Sequence, residues 1–171
     1  MLGYPIGPLQ TFGSSQSQQF QGGSVITSAA GTYKVLGMMN ARWIALGGLT
    51  STLGAPVGEE VCRLTATVPN CYQNFEGGAI SWSAETGAWE TYGEIRARWA
   101  ALNFEYGVLG YPTGAPVCGT KNDGCYQNVP GWAISWTAST GAWETYGVLR
   151  SLWAAQGFEA VRSVIRPVRS L

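Results

Sequence analysis

Apolar and polar positions alternate between Ala79 and Tyr92 in a way that predicts two strands. Ile80 and Trp82 are separated by smaller residues, and this period of two is typical of a strand with one buried face. The sequence AETG at residues 84–87 favours a tight turn that ends in glycine. We therefore predict a β-hairpin with one strand on each side of this turn.

The pairing register of this hairpin decides which side chains share a face. If Ser83 pairs with Ala88, then Trp82 lies opposite Trp89 on a bulky apolar face. The other face then carries Glu90 together with hydroxyl groups. This register predicts that the two tryptophans lie on one face of the hairpin and the acid on the other.

An amphipathic helix is predicted directly after the hairpin. Ile95, Trp99 and Leu102 recur at i, i+4 and i+7, which places them on one face of a helix. The same pattern occurs in two other parts of the chain, and we expect the central tryptophan to be a core residue each time. These central tryptophans are Trp43, Trp99 and Trp153.

The chain repeats itself, because residues 72–101 and 126–155 are identical at 21 of 30 positions. A weaker copy occupies residues 22–46, and units this small bury a core only by stacking on their neighbours. We predict an α+β fold in which three β-hairpin/α-helix repeats pack as one pseudo-symmetric domain. A tag of sequence LGYP or LGAP opens each unit at Leu2, Leu53 and Leu109. The predicted domain covers residues 1–160, with units at roughly 1–52, 53–108 and 109–160, and a basic C-terminal tail covers 161–171.

The composition favours a folded protein and argues against several classes. Aromatic residues make up 12% of the chain and charged residues only 12%, whereas disordered chains are rich in charge. The formal net charge is zero, so we expect no nucleic-acid partner. The chain has no run of about 18 apolar residues, so we predict no membrane-spanning helix. Met1 directly precedes a tag without a signal-peptide pattern, which suggests a module excised from a longer polypeptide.

The four cysteines predict two local disulfides. Cys62 and Cys118 each lie nine residues after a tag leucine, and Cys71 and Cys125 each directly precede Tyr-Gln-Asn. Of three possible connectivities, only Cys62–Cys71 with Cys118–Cys125 respects the repeat. Such bonds imply an oxidising, extracytoplasmic setting. A zinc site is the alternative, but the chain has no histidine, so we expect no metal.

Catalytic groups are scarce in this sequence. There is no histidine base for a nucleophile and no phosphate-binding glycine loop, so we expect neither a catalytic site nor a cofactor. Glu90 and Glu144 are the carboxylates that a small glycoside-acting enzyme would use. They occupy equivalent positions in different units, and each also fits an exposed strand residue without a function.

The strand aromatics point to binding. Large apolar residues mostly bury in the core, but tryptophans bordered by short polar groups also suit the ring faces and hydroxyls of a saccharide. The third unit adds Trp132 where the second has Gly78, so we expect the site to be strongest there. The candidate ligand-binding residues are Trp82, Trp89, Glu90, Tyr92, Trp132, Trp136, Trp143, Glu144 and Tyr146.

The LGYP tags, the run YQNFEGGAISWS at residues 72–83, the SxxTGA turn and the RxxW helix together resemble the LGFP repeat family. The resemblance covers about residues 2–159. It implies tandem repeats of secreted, cell-wall-associated bacterial proteins, often joined to enzymes such as mycoloyltransferases or peptidoglycan amidases. It therefore implies a non-catalytic module that binds cell-wall polysaccharide and anchors a catalytic domain absent from this chain.

Two other function classes compete with this expectation. A protein-interaction or structural repeat module would show an extended apolar patch without polar groups on the face of Glu90. A small glycoside-acting enzyme would bring two carboxylates to within about 5–10 Å of each other.

Overall fold

A computed structural model of the protein describes residues 1–63 and 69–160. Within these two ranges the chain forms three α-helices and twelve strands, and the strands make three antiparallel sheets of four strands each. Strands that follow one another in the sequence are neighbours in the sheet, so each sheet is a simple meander. The basic tail predicted at 161–171 lies outside the described residues.

Each unit supplies one sheet and then one helix of nine residues. The first unit contains β1 (Gln10–Phe12), β2 (Ser15–Phe20), β3 (Gly23–Ser28), β4 (Gly31–Leu36) and α1 (Gly37–Ala45). The second contains β5 (Val61–Arg63), β6 (Asn70–Phe75), β7 (Gly78–Ser83), β8 (Gly87–Tyr92) and α2 (Gly93–Ala101). The third contains β9 (Val117–Cys118), β10 (Cys125–Val129), β11 (Trp132–Thr137), β12 (Gly141–Tyr146) and α3 (Gly147–Ala155).

The predicted α+β fold of hairpin and helix units is wrong, because strands dominate each unit. The missed strands carry little sequence signal. β2 reads SQSQQF, which is almost entirely polar although Gln16 is its only exposed residue, so no alternation of apolar and polar positions marks it. β5 and β9 span only three and two residues, which is too short for an alternating pattern to be recognised.

The predicted hairpin register is also wrong, by one residue. Ser83 pairs with Gly87 instead of Ala88, so Glu90 lies opposite Ile80. The loop between the paired residues has three residues, and Gly87 follows it with a φ of 81°, which glycine adopts readily. A one-residue slip moves side chains to the other face of the sheet. Glu90 therefore shares a face with Ile80 and Trp82, whereas Trp89 lies on the opposite face.

Each of the first two helices lies between two sheets. α1 packs against β3 and β4 of its own unit and against β7 and β8 of the next. α2 packs in the same way against β8 of its own unit and against β11 and β12 of the third. α3 packs on β11 and β12 of its own unit. We call the contact between the helix of one unit and the sheet of the next a joint, and the structure contains joint 1–2 and joint 2–3.

The hydrophobic core is divided between the two joints. In joint 1–2, Met39 and Trp43 of α1 pack between Ile26 of the first sheet and Ile80 of the second. In joint 2–3, the equivalent helix residues pack against Ile134 and its neighbours in the third sheet. The predicted core tryptophans Trp43 and Trp99 are each 2% exposed, whereas Trp153, on which no later sheet packs among the described residues, is half-buried. Core formation thus depends on having a next unit, as expected for stacked repeats.

Candidate functional site

The two predicted strand acids each bind an arginine from the preceding unit. Glu90 accepts hydrogen bonds from Nε and Nη2 of Arg42 at 2.6 and 2.8 Å. Glu144 accepts the same pair of bonds from Arg98 at 2.7 and 2.9 Å. Bidentate pairing of this kind fixes geometry as well as charge. Both carboxylates are therefore used to fasten a helix to the next sheet.

Burial makes the Arg42–Glu90 ion pair important for joint 1–2. Glu90 is only 4% exposed, and a carboxylate at that depth needs a paired cation. Hydrogen bonding from Arg98 lowers the pKa of Glu144 below its usual range. Sequence reasoning did not select Arg42 or Arg98. The only signal was an arginine directly before the central tryptophan in the first two helices.

A buried glutamine from each later sheet adds a second polar link. Gln73 Nε2 donates to the carbonyl oxygen of Lys34 at 2.9 Å, and Gln127 Nε2 donates to that of Glu90 at 2.8 Å. Each amide also donates to a carbonyl oxygen of its own unit. Both glutamines come from the Tyr-Gln-Asn sequence, so its repetition was the signal that could have identified them.

The helix tryptophans bind the tags. Trp43 Nε1 donates to the carbonyl oxygen of Gly54 at 2.9 Å, and Trp99 Nε1 donates to that of Gly110 at 3.1 Å. Both glycines belong to the tag of the following unit. The tag thus has a structural role, because its second residue accepts a hydrogen bond from the tryptophan of the preceding helix. This role explains why the tag occupies the same position in the second and third units.

Three of the predicted aromatic residues lie at the joints. Trp82 is half-buried and packs against the core of joint 1–2. The ring of Trp89 lies under the Arg42 guanidinium, 4.8 Å from ring centroid to Cζ, and Trp143 lies under Arg98 at the same distance. Trp143 differs in being 58% exposed. The joints thus account for the surroundings of Trp82 and Trp89.

Tyr92 lies at the edge of joint 2–3. It borders a small cavity of about 210 Å³ together with Ile95 and Trp136. Burial raises the pKa of its phenol, and the nearby charge of Glu90 raises it further. Tyr92 therefore lies at the boundary between two units, beside Trp136 of the third hairpin.

Trp132 and Tyr146 come together at an open groove in the third unit. Their ring centroids are 4.2 Å apart, and Tyr146 is 51% exposed. Trp132 lines a groove of about 630 Å³, whose polar lining includes Thr113, Asn128 and Arg150. Arg150 Nη2 donates to Asn128 Oδ1 at 2.7 Å, which fixes both side chains at the groove. Sequence reasoning selected the aromatic pair but not these polar residues.

Trp136 and Trp143 lie elsewhere in the third unit. They line a smaller cavity of about 190 Å³, which Trp153 also borders. Two hydroxyls in its wall, Ser135 Oγ and Thr145 Oγ1, are buried without a hydrogen-bond partner among the described residues. The structure therefore divides the candidate residues of the third unit between two cavities, and it assigns Glu144 to joint 2–3.

Both predicted cysteine pairs form disulfides, Cys62–Cys71 and Cys118–Cys125. In each case the paired residues lie directly opposite each other on neighbouring strands. The bonds therefore hold the very short strands β5 and β9 in register. Glu60 lies close to the first pair, but disulfide sulfurs are not thiolate metal ligands.

Comparison with known families agrees with this arrangement of units. The model of the LGFP repeat matches three times, at residues 2–51, 53–107 and 109–160. The chain belongs to the LGFP repeat family. LGFP repeats are a repeat family of secreted bacterial proteins, and the two disulfides fit an extracellular location. A search of curated proteins gives no significant match.

In the part of the chain that the structure describes, no helix combines the length and the hydrophobicity needed to cross a membrane.

Proposed function

We propose that this LGFP array is a non-catalytic module that binds cell-wall polysaccharide through the groove of its third unit and so holds a secreted protein at the cell wall. The observation that carries the proposal is the Trp132–Tyr146 pair beside a polar groove of about 630 Å³. An aromatic platform next to hydroxyl, amide and guanidinium groups matches the ring faces and hydroxyls of a sugar chain.

The open shape of the groove supports a polymeric ligand. A polysaccharide binds as an extended chain, so its site must let the chain enter and leave at both ends. The exposed Tyr146 ring and the Arg150–Asn128 pair lie at the surface, where neighbouring sugar residues can reach them. Arg150 also binds Glu159, which neutralises its charge and favours a hydroxyl-rich ligand over a strongly anionic one.

The first two units lack the space for such a platform. Glycine stands at the position of Trp132 in both, as Gly23 and Gly78. A Cβ at Gly78 would collide with the carbonyl oxygen of Thr91, and one at Gly23 would collide with that of Val35. These units cannot hold a tryptophan there without moving the neighbouring strand. We therefore expect one site in the array instead of three equivalent ones.

The proposal is tested by binding of the protein to purified cell-wall polysaccharide. Replacing Trp132 with alanine should weaken binding by about 1–2 kcal/mol, because the stacked ring contributes apolar contact at low entropic cost. Tyr146→Phe should have a smaller effect, since the ring stays and only its hydroxyl is lost. Circular dichroism checks that both variants are folded, and reducing-sugar release by the parent should stay at background.

A matched control is Phe12→Ala, which removes an exposed aromatic ring from β1. This residue belongs to the first unit, whereas the groove is formed by the third. It should bind like the parent. Trp143→Ala serves to distinguish the groove from the smaller cavity of the third unit. Full binding by folded Trp132→Ala, or loss of binding only in Trp143→Ala, would contradict the assignment of the groove.

A further inference from the structure

We propose that copies of this chain associate head to tail, with α3 of one copy on the outer face of the first sheet of the next, in a joint like the two inside the chain. This inference goes beyond polysaccharide binding and uses different residues. In the two formed joints, the third residue of the helix packs into the core. Met39 and Ile95 at that position are 2% and 5% exposed.

The equivalent surface of α3 is uncovered in the described part of the chain. Leu149, at the third helix position, is 68% exposed, and Leu152, at the sixth, is 61% exposed. A capping unit normally presents a polar outer face. Leu149 is exposed although its counterparts Met39 and Ile95 are buried, and Leu152 is exposed although its counterparts Arg42 and Arg98 are partly buried, which marks this face as one half of a joint.

The first unit carries the other half. Leu53 and Leu109, the tag leucines that follow α1 and α2, are 0% and 1% exposed, whereas Leu2 of the first tag is only partly buried. Gln18 stands at the position of the joint glutamines, and among the described residues it donates only to Gly7 within its own unit. Within residues 1–63 and 69–160, the tag, the glutamine and the outer sheet face of the first unit thus have no helix packed on them.

Charge at the two ends selects this pairing. Inside the chain, the sixth helix residue is an arginine, Arg42 or Arg98, and it meets a glutamate. On α3 that arginine is replaced by Leu152, and on the first sheet the glutamate is replaced by Lys34, which pairs with Val25 as Glu90 pairs with Ile80. Both partners of the ion pair are therefore missing together.

If α3 packed on the second or third sheet, or if α1 or α2 packed on the first sheet, one charged side chain would lack a partner. A sheet that carries the glutamate would bury an unpaired carboxylate against Leu152, and a helix that carries the arginine would meet Lys34. When α3 meets the first sheet, neither cost arises, because the aliphatic part of Lys34 can cover Leu152 while its ammonium group reaches solvent. The two ends thus fit each other better than either fits an internal unit.

This joint uses different surfaces on the two partners, so it is a heterologous contact that builds rings or open chains. The test is sedimentation velocity of the full chain over a wide concentration range. The average mass of the parent should rise above 18.2 kDa as concentration increases. L152R should weaken association by at least about ten-fold, since it places like charges across the joint. A155R is the matched control, because the equivalent Ala45 and Ala101 stay exposed in both formed joints.

The decisive experiment mixes two variants. K34E alone should also associate poorly, because its carboxylate would meet Leu152. An equimolar mixture of L152R and K34E should recover association, since it restores the ion pair seen between Arg42 and Glu90. A parent that stays monomeric at every concentration overturns the proposal. So does a result in which L152R abolishes association and K34E has no effect, because that indicates a symmetric contact between two α3 helices. Thermal melting of each variant checks the fold.

Discussion

Helices α2 and α3 occupy equivalent positions in units that are identical at 21 of 30 compared positions, yet their surroundings differ. Trp99 of α2 is 2% exposed and binds the following tag, whereas Trp153 of α3 is half-buried and stacks on Phe158 of its own unit. The shared position of the tryptophan in the helix is therefore not sufficient to bury it. Burial comes from the next sheet, so the energetic unit of this fold is the joint and not the repeat.

The largest effect on stability is expected when each of the two tryptophans is replaced separately. Trp99→Ala should lower the free energy of unfolding by about 3–5 kcal/mol, the usual range for a buried tryptophan. Trp153→Ala should cost only about 1–2 kcal/mol, because much less of its surface is buried. Chemical denaturation of both variants measures the difference. Equal losses would show that the joint does not determine the role of the tryptophan.

A second test compares the two ion pairs. Arg42→Ala leaves Glu90 buried without a cation and should cost about 3 kcal/mol. Arg98→Ala should cost about 1 kcal/mol, because the Glu144 side chain is 23% exposed and water can replace part of the lost bond. The double variant R42M/E90Q should be more stable than Arg42→Ala alone, since it removes the unpaired charge. A double variant no better than the single one would contradict this explanation.

The smallest expected effect is a dependence of the free energy of unfolding on pH, which arises from the Arg98–Glu144 ion pair. Because Arg98 lowers the pKa of Glu144 in the folded state, its ion pair contributes fully above the ordinary value of 4.5 and is lost as pH falls through the lowered pKa. Between pH 5 and 3, the parent should therefore lose more stability than E144Q, by less than about 1 kcal/mol. Thermal melts across this range measure the two slopes. E85Q, in the exposed turn after β7, should follow the parent, and identical slopes for E144Q would exclude the effect.

The sequence was sufficient for features that repeat along the chain. The three copies and the family follow from the repeated segments and the tag, and the helices follow from the spacing of their apolar residues. The four-stranded sheets did not follow, because β1, β2, β5 and β9 are too polar or too short to show a period. Here pairing with a neighbouring strand, and in two cases a disulfide, replaces local propensity.

The candidate site was predictable only where a single residue differs between copies. Trp132 was found because it replaces Gly78 in an otherwise matching segment. The partners of Glu90 and Glu144 were not found, since Arg42 and Arg98 lie 48 and 46 residues earlier in the chain. A hairpin register one residue away from the real one then placed Glu90 on the wrong face. Contacts between units cannot be read from the pattern within one unit.

The hydrogen bond from each helix tryptophan to the next tag has a practical consequence for anyone who exchanges repeats between LGFP proteins. A cut at the tag looks natural in an alignment, but it separates Trp43 from Gly54 and exposes the inner surface of a joint. A cut in the turn between the last two strands of a sheet, at residues 84–86 or 138–140, would instead keep each helix with the tag that receives it. Chimeras built with that frame should keep the tryptophan–tag hydrogen bond, but each cut divides the ion pair of a joint, so the last strand of the incoming sheet must supply the glutamate that pairs with Arg42 or Arg98.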